Sequence, residues 1–537
     1  MIPFLLVGIV VLIALYVYYQ KTYRYWQRMG VQPVSNYPCI FLGDFWPIFL
    51  GQMNFNDIMD KFYYKRPTAR YEAVYHLMTP SLMIRDCELI KQLLVKEFDS
   101  FTDHFDFAPS DGPDGIWGQN LLNLKGNKWK EMRSVLSGAF TSSKMKVLYG
   151  LISQTSENFV EYFKEREEEE VIEVEFRDCF RRLMTDIVAT TAFGIKVDSL
   201  RDRNNEFYEL GKKVTNFQGF GVVIKFFLSF LFPKLAWQLN IGLFPKDATE
   251  YFYKVIDETL TAREKQGIIR PDMLHLLLQV KHRSQQEEKT APSNQDGFAV
   301  VKEDSLNFGN SQKTIQITNK NIVAQALTFF VAGFETTSNA MCFTAYELAV
   351  NPEIQEKLRK EIEKTLQEND GKIDYEALIG MKYLDMVVTE SLRKWPPIMA
   401  TDRVCVKPFT ITPTNTNEIP ITVQPEQRIL IPFQSIQRDP NHFPDPEKFD
   451  PERFSDLNKH TIHPYSFLSF GVGPRGCLGS RLALLDIKTI LVWILRNFQI
   501  VATDKTPVRL ELDKKAISTS VKGGFPLGLK RLNQNNS

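Results

Sequence analysis

The segment Phe470-Gly-Val-Gly-Pro-Arg-Gly-Cys-Leu-Gly479 constrains this chain more than any other stretch. Gly471, Gly473, Gly476 and Gly479 surround one cysteine, Cys477, directly ahead of a predicted helix from Ser480 to Arg496. Glycine lets the main chain turn sharply and approach a flat ligand that side chains would hold away. The unpaired N–H groups and positive dipole end of the helix start both favour thiolate over thiol. Arg475 adds a fixed positive charge suited to a carboxylate. A lone thiolate in such a loop fits an axial ligand to haem iron, pushing electron density towards O–O cleavage. Two other readings stand beside it: a buried structural cysteine and a hydrolase-type nucleophile. The first would not need four glycines and an arginine. The second would want a histidine partner, and the nearest, His460 and His463, lie in a polar segment without an orienting group.

The pattern Phe470-x-x-Gly473-x-Arg475-x-Cys477-x-Gly479 resembles the haem-binding signature of the cytochrome P450 superfamily. The resemblance implies Cys477 as the iron ligand, with Phe470, Arg475 and Gly479 as haem contacts. It also implies the fold of that superfamily, mainly α with small β-sheets (α+β), preceded by a transmembrane anchor helix. By length alone, 537 residues would suffice for about three domains. The resemblance instead predicts an anchor at 1–20, a basic, proline-containing linker at 21–40 and a single catalytic domain over 41–537. The formal net charge of +1 gives no reason to expect a nucleic-acid partner. Forty Phe residues imply a large aromatic interior or an apolar ligand cavity. Six Cys without a C-x-x-C pair argue against zinc and against a disulfide framework, and suit a reducing compartment.

Ile2 to Tyr19 is almost unbroken apolar sequence, followed by Lys21, Arg24 and Arg28. Eighteen helical residues span about 27 Å, enough for the hydrocarbon core. A cleaved signal peptide would carry its basic residues first. Here they follow the apolar run, which predicts a signal anchor with the body on the cytoplasmic side. Pro33 and Pro38 then mark a short stiff segment.

Short apolar runs between Asn54 and Glu97 resemble the family's small sheet region. Phe101 to Gln119, with Gly112, Pro113, Gly115 and Gly118, reads as a loop. By resemblance it roofs the substrate cavity, with Phe105 and Phe107 as contacts. Trp129 and Arg133 share one helix face at i, i+4 and match the family's propionate-binding helix, where indole N–H and guanidinium both donate to carboxylate. Glu157 to Leu200 reads as helical, its acidic run Glu167 to Glu170 a solvated end. Val222 to Phe232 is strongly apolar but too short to span a bilayer. It fits either a membrane contact or a buried core helix. Lys281 to Lys320 is polar and reads as a flexible surface connection.

Asn321 to Asn351 predicts a long helix carrying Ala332-Gly333-Phe334-Glu335-Thr336-Thr337. Ala332 and Gly333 would let a flat macrocycle or dioxygen lie against the backbone. Thr336 can donate and accept, and can bond its own i−4 carbonyl and open the helix locally. Glu335 can feed protons from solvent, and splitting O–O heterolytically needs protons delivered to the distal oxygen. Glu390 and Arg393, at i, i+3, match the family's E-x-x-R. Read bare they could be a surface pair worth about 0.3–0.5 kcal/mol. By resemblance they form a buried structural network with Arg453. Arg403 resembles a further propionate ligand, and Ile398, Met399 and Ala400 would face substrate. Val404 to Gln434 reads as hairpins. Where the family often has a histidine near Asp439, this chain has Gln437 and Arg438, a departure read as tolerated. The closing strands, Phe498 to Leu529, would approach substrate near Ile517 to Val521.

Together the resemblance implies a membrane-bound monooxygenase with haem b, using O2 as cosubstrate on apolar small molecules. No flavin or nicotinamide fingerprint is convincing, so electrons would come from NADPH through a cytochrome reductase on the endoplasmic reticulum membrane, with cytochrome b5 as a further partner. Lys128, Lys130, Arg481 and Lys488 suggest a docking surface for the reductase. The overall likeness is to insect microsomal enzymes that clear xenobiotics, with oxidation of an endogenous hormone, fatty acid or pheromone as the alternative. A haem-thiolate isomerase working without O2, or a non-catalytic haem or lipid-binding protein, would not need the Glu335–Thr336 pair.

Overall fold

The apolar N-terminal run forms one helix, α1 (Ile2–Tyr23), whose large side chains are mostly exposed from Phe4 to Val17. Among the described residues it is the one helix long and apolar enough to cross a membrane. Its end behaves differently. Tyr23 and Trp26 are buried, and Trp26 Nε1–H donates to Val74 O at 3.1 Å. Val34 N–H bonds Ala73 O at 2.8 Å. The 21–40 segment is therefore docked on the body rather than standing clear of it. Burying an apolar side chain of this size contributes about 1.5–3 kcal/mol, enough to hold a short segment.

This computed structural model describes residues 2–106, 112, 114–166, 170–216, 220–270, 272–282, 298–300, 317–416, 418–513 and 519–532. Strands β1 (Tyr71–His76) and β2 (Thr79–Ile84) pair antiparallel, with Tyr71 opposite Ile84. Strands β4 (Thr401–Val404) and β7 (Arg428–Ile431) complete that sheet in the order β1-β2-β7-β4. Between them, β5 (Phe409–Ile411) and β6 (Ile421–Val423) form a separate hairpin around Asn415. The third sheet runs β3-β9-β8, from β3 (Val171–Glu175), β8 (Phe498–Val501) and β9 (Pro526–Arg531). Strand β3 interrupts the expected helical run of 157–200. Val171-Ile-Glu-Val-Glu alternates apolar and charged residues, and that period of two pairs antiparallel with β9. Of the acidic run before it, 167–169 lie outside the described residues, as do 514–518 with Ile517.

The helical body comprises α2 (Gly126–Ser137), α3 (Ser142–Lys164), α4 (Phe176–Val188), α5 (Phe220–Leu231), α6 (Pro233–Gln238), α7 (Lys246–Gln266), α8 (Asn319–Val350), α9 (Lys382–Lys394) and α10 (Ser480–Leu495). Helix α8 starts at a capping box between Thr318 and Asn321, and packs most extensively against α4. Part of the expected flexible connection before it is packed. Phe298 lies 4.9 Å from the Phe454 ring and 5.5 Å from that of Phe467. Most of the rest of that connection lies outside the described residues.

Two apolar cores result. One joins the helices to the β3-β9-β8 sheet; the other joins the β1-β2-β7-β4 sheet to Tyr23 and Trp26. The cysteine loop lies at their seam, with Leu468 and Val472 on the second core and Phe470 and Leu478 on the first. Behind it, Arg393 Nε and Nη2 donate to Glu390 at 2.7 and 2.9 Å, and Arg453 Nε lies 3.4 Å from the same carboxylate. Glu390 and Arg393 side chains are fully buried. Removing one partner leaves the other as an uncompensated buried charge, which costs about 3–5 kcal/mol. Glu390→Ala is thus expected to destabilise by that amount in urea unfolding; a loss below about 1 kcal/mol, the worth of a surface pair, would contradict the burial.

Candidate active site

The loop before α10 is held by main-chain bonds. Gly471 N–H donates to Leu468 O at 2.7 Å, Gly476 N–H to Gly473 O at 2.8 Å and Cys477 N–H to Phe470 O at 2.7 Å. Gly473 has φ of 73°, and a Cβ there would lie 2.1 Å from Leu94 O, so no other residue fits. Gly471 is also left-handed, at 68°. Gly476 and Gly479 are not left-handed, and a Cβ at Gly479 would meet only ordinary contact with Phe140 at 3.8 Å. Cys477 presents open surface yet sits deep among protein atoms, as at the floor of a recess. Burial pushes its thiol up; the Gly479 N–H bonded to the sulfur and the charge of Arg133 pull it down, and burial wins. The helix start alone therefore does not secure a thiolate. A cation bonded to the sulfur would.

Three guanidinium groups gather beside it. Arg133 on α2 is buried with Trp129, and Arg403 on β4 is 2 % exposed. Arg403 Nη1 donates to Asp402 O at 2.6 Å and Thr401 Oγ1 at 3.1 Å, while its Nε is buried without a hydrogen-bond partner. Arg475 lies 4.1 Å over the Trp129 ring and donates to Thr102 O (2.8 Å), Leu121 O (3.1 Å) and Leu124 O (2.7 Å). In this arrangement it ties Thr102, Leu121 and Leu124 to the cysteine loop, and three carbonyl bonds leave part of its five N–H donors for a carboxylate. Burial, then Arg403 and Arg133, pull the Arg475 guanidinium down to about 8. Burial brings Arg403 to about 10. Two carboxylates lie nearby: Asp103 Oδ1 is 3.7 Å from Arg475 Nη2, and Asp402 partly offsets the lowering of Arg403. Asp402 accepts from the Phe105 N–H at 2.7 Å and lies 3.0 Å from His104 Nδ1. Burial opposes its charge, but those two bonds hold its carboxyl well below the usual range.

An excess of desolvated, mutually repelling cations fits a dianionic group, and a single sulfur fits a metal whose other ligands arrive with a macrocycle. Among the described residues no cluster of three or more His, Cys, Asp or Glu could hold a metal ion alone. Nothing in the protein demands glycine at 333, where a Cβ would meet only Val188 Cγ2 at 3.6 Å. Haem with its two propionates satisfies each of these features.

Helix α8 reaches the loop through packed rings: Phe329 lies 5.4 Å from Phe140, whose ring would touch a Cβ at Gly479 at 3.8 Å. Ala332 presents open surface. Thr336 Oγ1–H bonds Ala332 O, one turn back, yet the helix runs through without a break. Glu335 points to α4, where Arg181 Nη2 donates to its Oε1 at 2.5 Å and Asn339 Nδ2 adds a 3.4 Å contact. Arg181 was not legible as a site residue, because nothing in the sequence links positions 154 residues apart.

The residues assigned to substrate diverge. Phe107 lies outside the described residues. The Phe105 ring is covered by Arg428 at 3.8 Å. Met399 is buried, Ala400 half-buried and Ile398 open. The docking surface loses Lys488, whose buried ammonium bonds Asp385 at 2.7 Å. The position reads as polar in sequence, but its facing carboxylate on α9 pulls it inside. Lys130 bonds Asp99 at 2.7 Å.

Comparison with known proteins agrees with the geometry. The cytochrome P450 family profile matches residues 42–525. Cytochrome P450 9e2 of Blattella germanica is 40% identical over 98% of both chains. Probable cytochrome P450 9f2 of Drosophila melanogaster is 36% identical over 92% of this chain and 93% of its own. Cytochrome P450 6k1 of Blattella germanica is 36% identical over 96% and 94%. The chain belongs to the cytochrome P450 family and is a haem-thiolate monooxygenase.

Proposed function

We propose that the enzyme oxidises apolar small molecules, chiefly xenobiotics, with electrons from NADPH passed through a cytochrome reductase on the endoplasmic reticulum membrane. The observation that carries the reading is the Glu335–Thr336 pair on a helix packed to the thiolate loop. The likeness to insect cytochromes P450 is consistent with xenobiotics, with a hormone, fatty acid or pheromone as the alternative. Haem-thiolate iron, held at Cys477 with Trp129, Arg133, Arg403 and Arg475 towards its propionates, supplies reductive activation of O2 and transfer of one oxygen atom.

The chain's own residues handle the protons. Glu335 Oε1 is engaged by Arg181, so its other oxygen is the one placed to take a proton from solvent. Thr336 Oγ1 accepts through its lone pairs and passes a proton on by turning from Ala332 O. Substrate would meet Ile398, Ala400 and Ala332 in the recess, under the strap that Arg475 ties down.

Two apolar surfaces are consistent with that location. Beyond α1, Phe232, Leu235, Trp237 and Leu239 are exposed together around α6. Isolated exposed apolar residues are ordinary, but a contiguous group beside Lys234 suits a lipid interface. Lys128, Lys130 and Arg481 remain the proposed docking face for the reductase, with cytochrome b5 as a second donor.

Reconstitution with reductase, NADPH and an apolar insecticide as probe should give O2-dependent product that Cys477→Ser abolishes. Thr336→Ala and Glu335→Gln should lower product about 10²-fold while NADPH oxidation continues with peroxide release. Lys128→Glu combined with Arg481→Glu should slow reduction in a salt-sensitive way. Turnover of the probe without O2 would contradict the reading. In microsomes the full chain should resist alkaline extraction. A chain lacking residues 2–17, which spares buried Tyr23 and Trp26, should become extractable at alkaline pH yet stay membrane-bound at neutral pH until Trp237 and Leu239 are changed to Ser. Fully soluble behaviour after the truncation alone would remove the second contact.

A further inference from the structure

We infer that Gln437 is a positioning residue that hangs the thiolate loop on helix α9. Its side chain is fully buried at the end of the short helix Phe433–Gln437. Its Nε2 donates to Arg393 O at 2.8 Å and Leu392 O at 3.2 Å, two carbonyls in the last turn of α9. Its Oε1 accepts from Leu468 N–H at 2.5 Å. The Ser469 hydroxyl lies 2.7 Å from Leu392 O and 3.1 Å from the same Oε1, closing the cluster. Gln437 O in turn accepts from Arg393 Nη1 at 2.9 Å. The amide orientation is unambiguous, since carbonyls only accept and a backbone N–H only donates.

From Leu468 the connection to the sulfur is short. Leu468 O takes the Gly471 N–H, and Phe470 O takes the Cys477 N–H. One neutral side chain thus bridges the helix carrying Glu390 and Arg393 to the start of the cysteine loop. The bridge needs donors on one side and an acceptor on the other, in a place with no spare charge. A carboxylate would set its oxygens against the Leu392 and Arg393 carbonyls, with the Arg393 guanidinium already taken by Glu390. An apolar side chain would orphan Leu468 N–H and the Arg393 carbonyl, each a costly buried group. The departure from histidine read as tolerated in the sequence is a specific device here.

The inference rests on the haem-thiolate assignment only for what the loop positions, and its test separates the two. Hydrogen exchange of residues 466–478 is measured in the haem-loaded enzyme alongside the ferrous–carbon monoxide spectrum, for wild type, Gln437→Leu and Gln437→Asn. Asparagine keeps the amide but is one methylene too short to reach both sides, and guards against a leucine variant that does not fold. The expected result is exchange at 466–478 accelerated about tenfold or more in either variant, above any change elsewhere, with part of the thiolate-type band converted to the thiol type. Exchange that rises uniformly along the chain, or stays at the wild-type rate in 466–478 of Gln437→Asn, would overturn the bridge. A wild-type protein lacking the thiolate-type band would instead overturn the assignment and leave the exchange result to judge the bridge by itself.

Discussion

A sulfur atom sits at the seam between two hydrophobic cores, and the main chain around it has almost no freedom. Gly473 is pressed against Leu94 O, Cys477 N–H is bonded to Phe470 O, and Gly479 N–H is bonded to the sulfur. Leu468 and Val472 anchor the loop in the sheet core, Phe470 and Leu478 in the helical core. Preorganisation of this kind matters because burial disfavours the thiolate on its own. The protein places the sulfur, and a metal bound there would stabilise its charge.

The same division governs the cations. Arg133 and Arg403 lie close enough to Arg475 to depress its guanidinium, and Asp402 is held by His104 and the Phe105 amide. Holding buried cations this close together is costly, and an anionic ligand set among them would offset that cost. In the Glu390–Arg393–Arg453 network on the other side, the charges pair with one another inside the protein. One charged cluster is thus built to hold a ligand and the other to hold the fold, and Gln437 links the second to the sulfur.

What could be read from the sequence follows from the range of each interaction. The cysteine loop, the Trp129–Arg133 pair, Glu390–Arg393 and Ala332–Thr336 each lie within ten residues, and local geometry alone brings their parts together. Features that depend on distant segments were not legible. Arg181 meets Glu335 across 154 residues, and the carbonyls that occupy Arg475 belong to a loop some 350 positions away. Lys488 looked like a surface charge because its partner Asp385 lies on another helix. Strand β3 was absorbed into a helix because its five residues find their period only against β9. Gln437 reads as neutral for the same reason, its partners lying on two distant segments, 392–393 and 468–469.

The central claim is that Cys477 is bound to iron as a thiolate. The most direct test is the absorption spectrum of the dithionite-reduced protein under carbon monoxide. The account predicts a Soret band where thiolate-ligated ferrous–carbon monoxide haem absorbs, lost in Cys477→Ser. A band at the position of histidine- or thiol-ligated haem in freshly folded wild-type protein would contradict it.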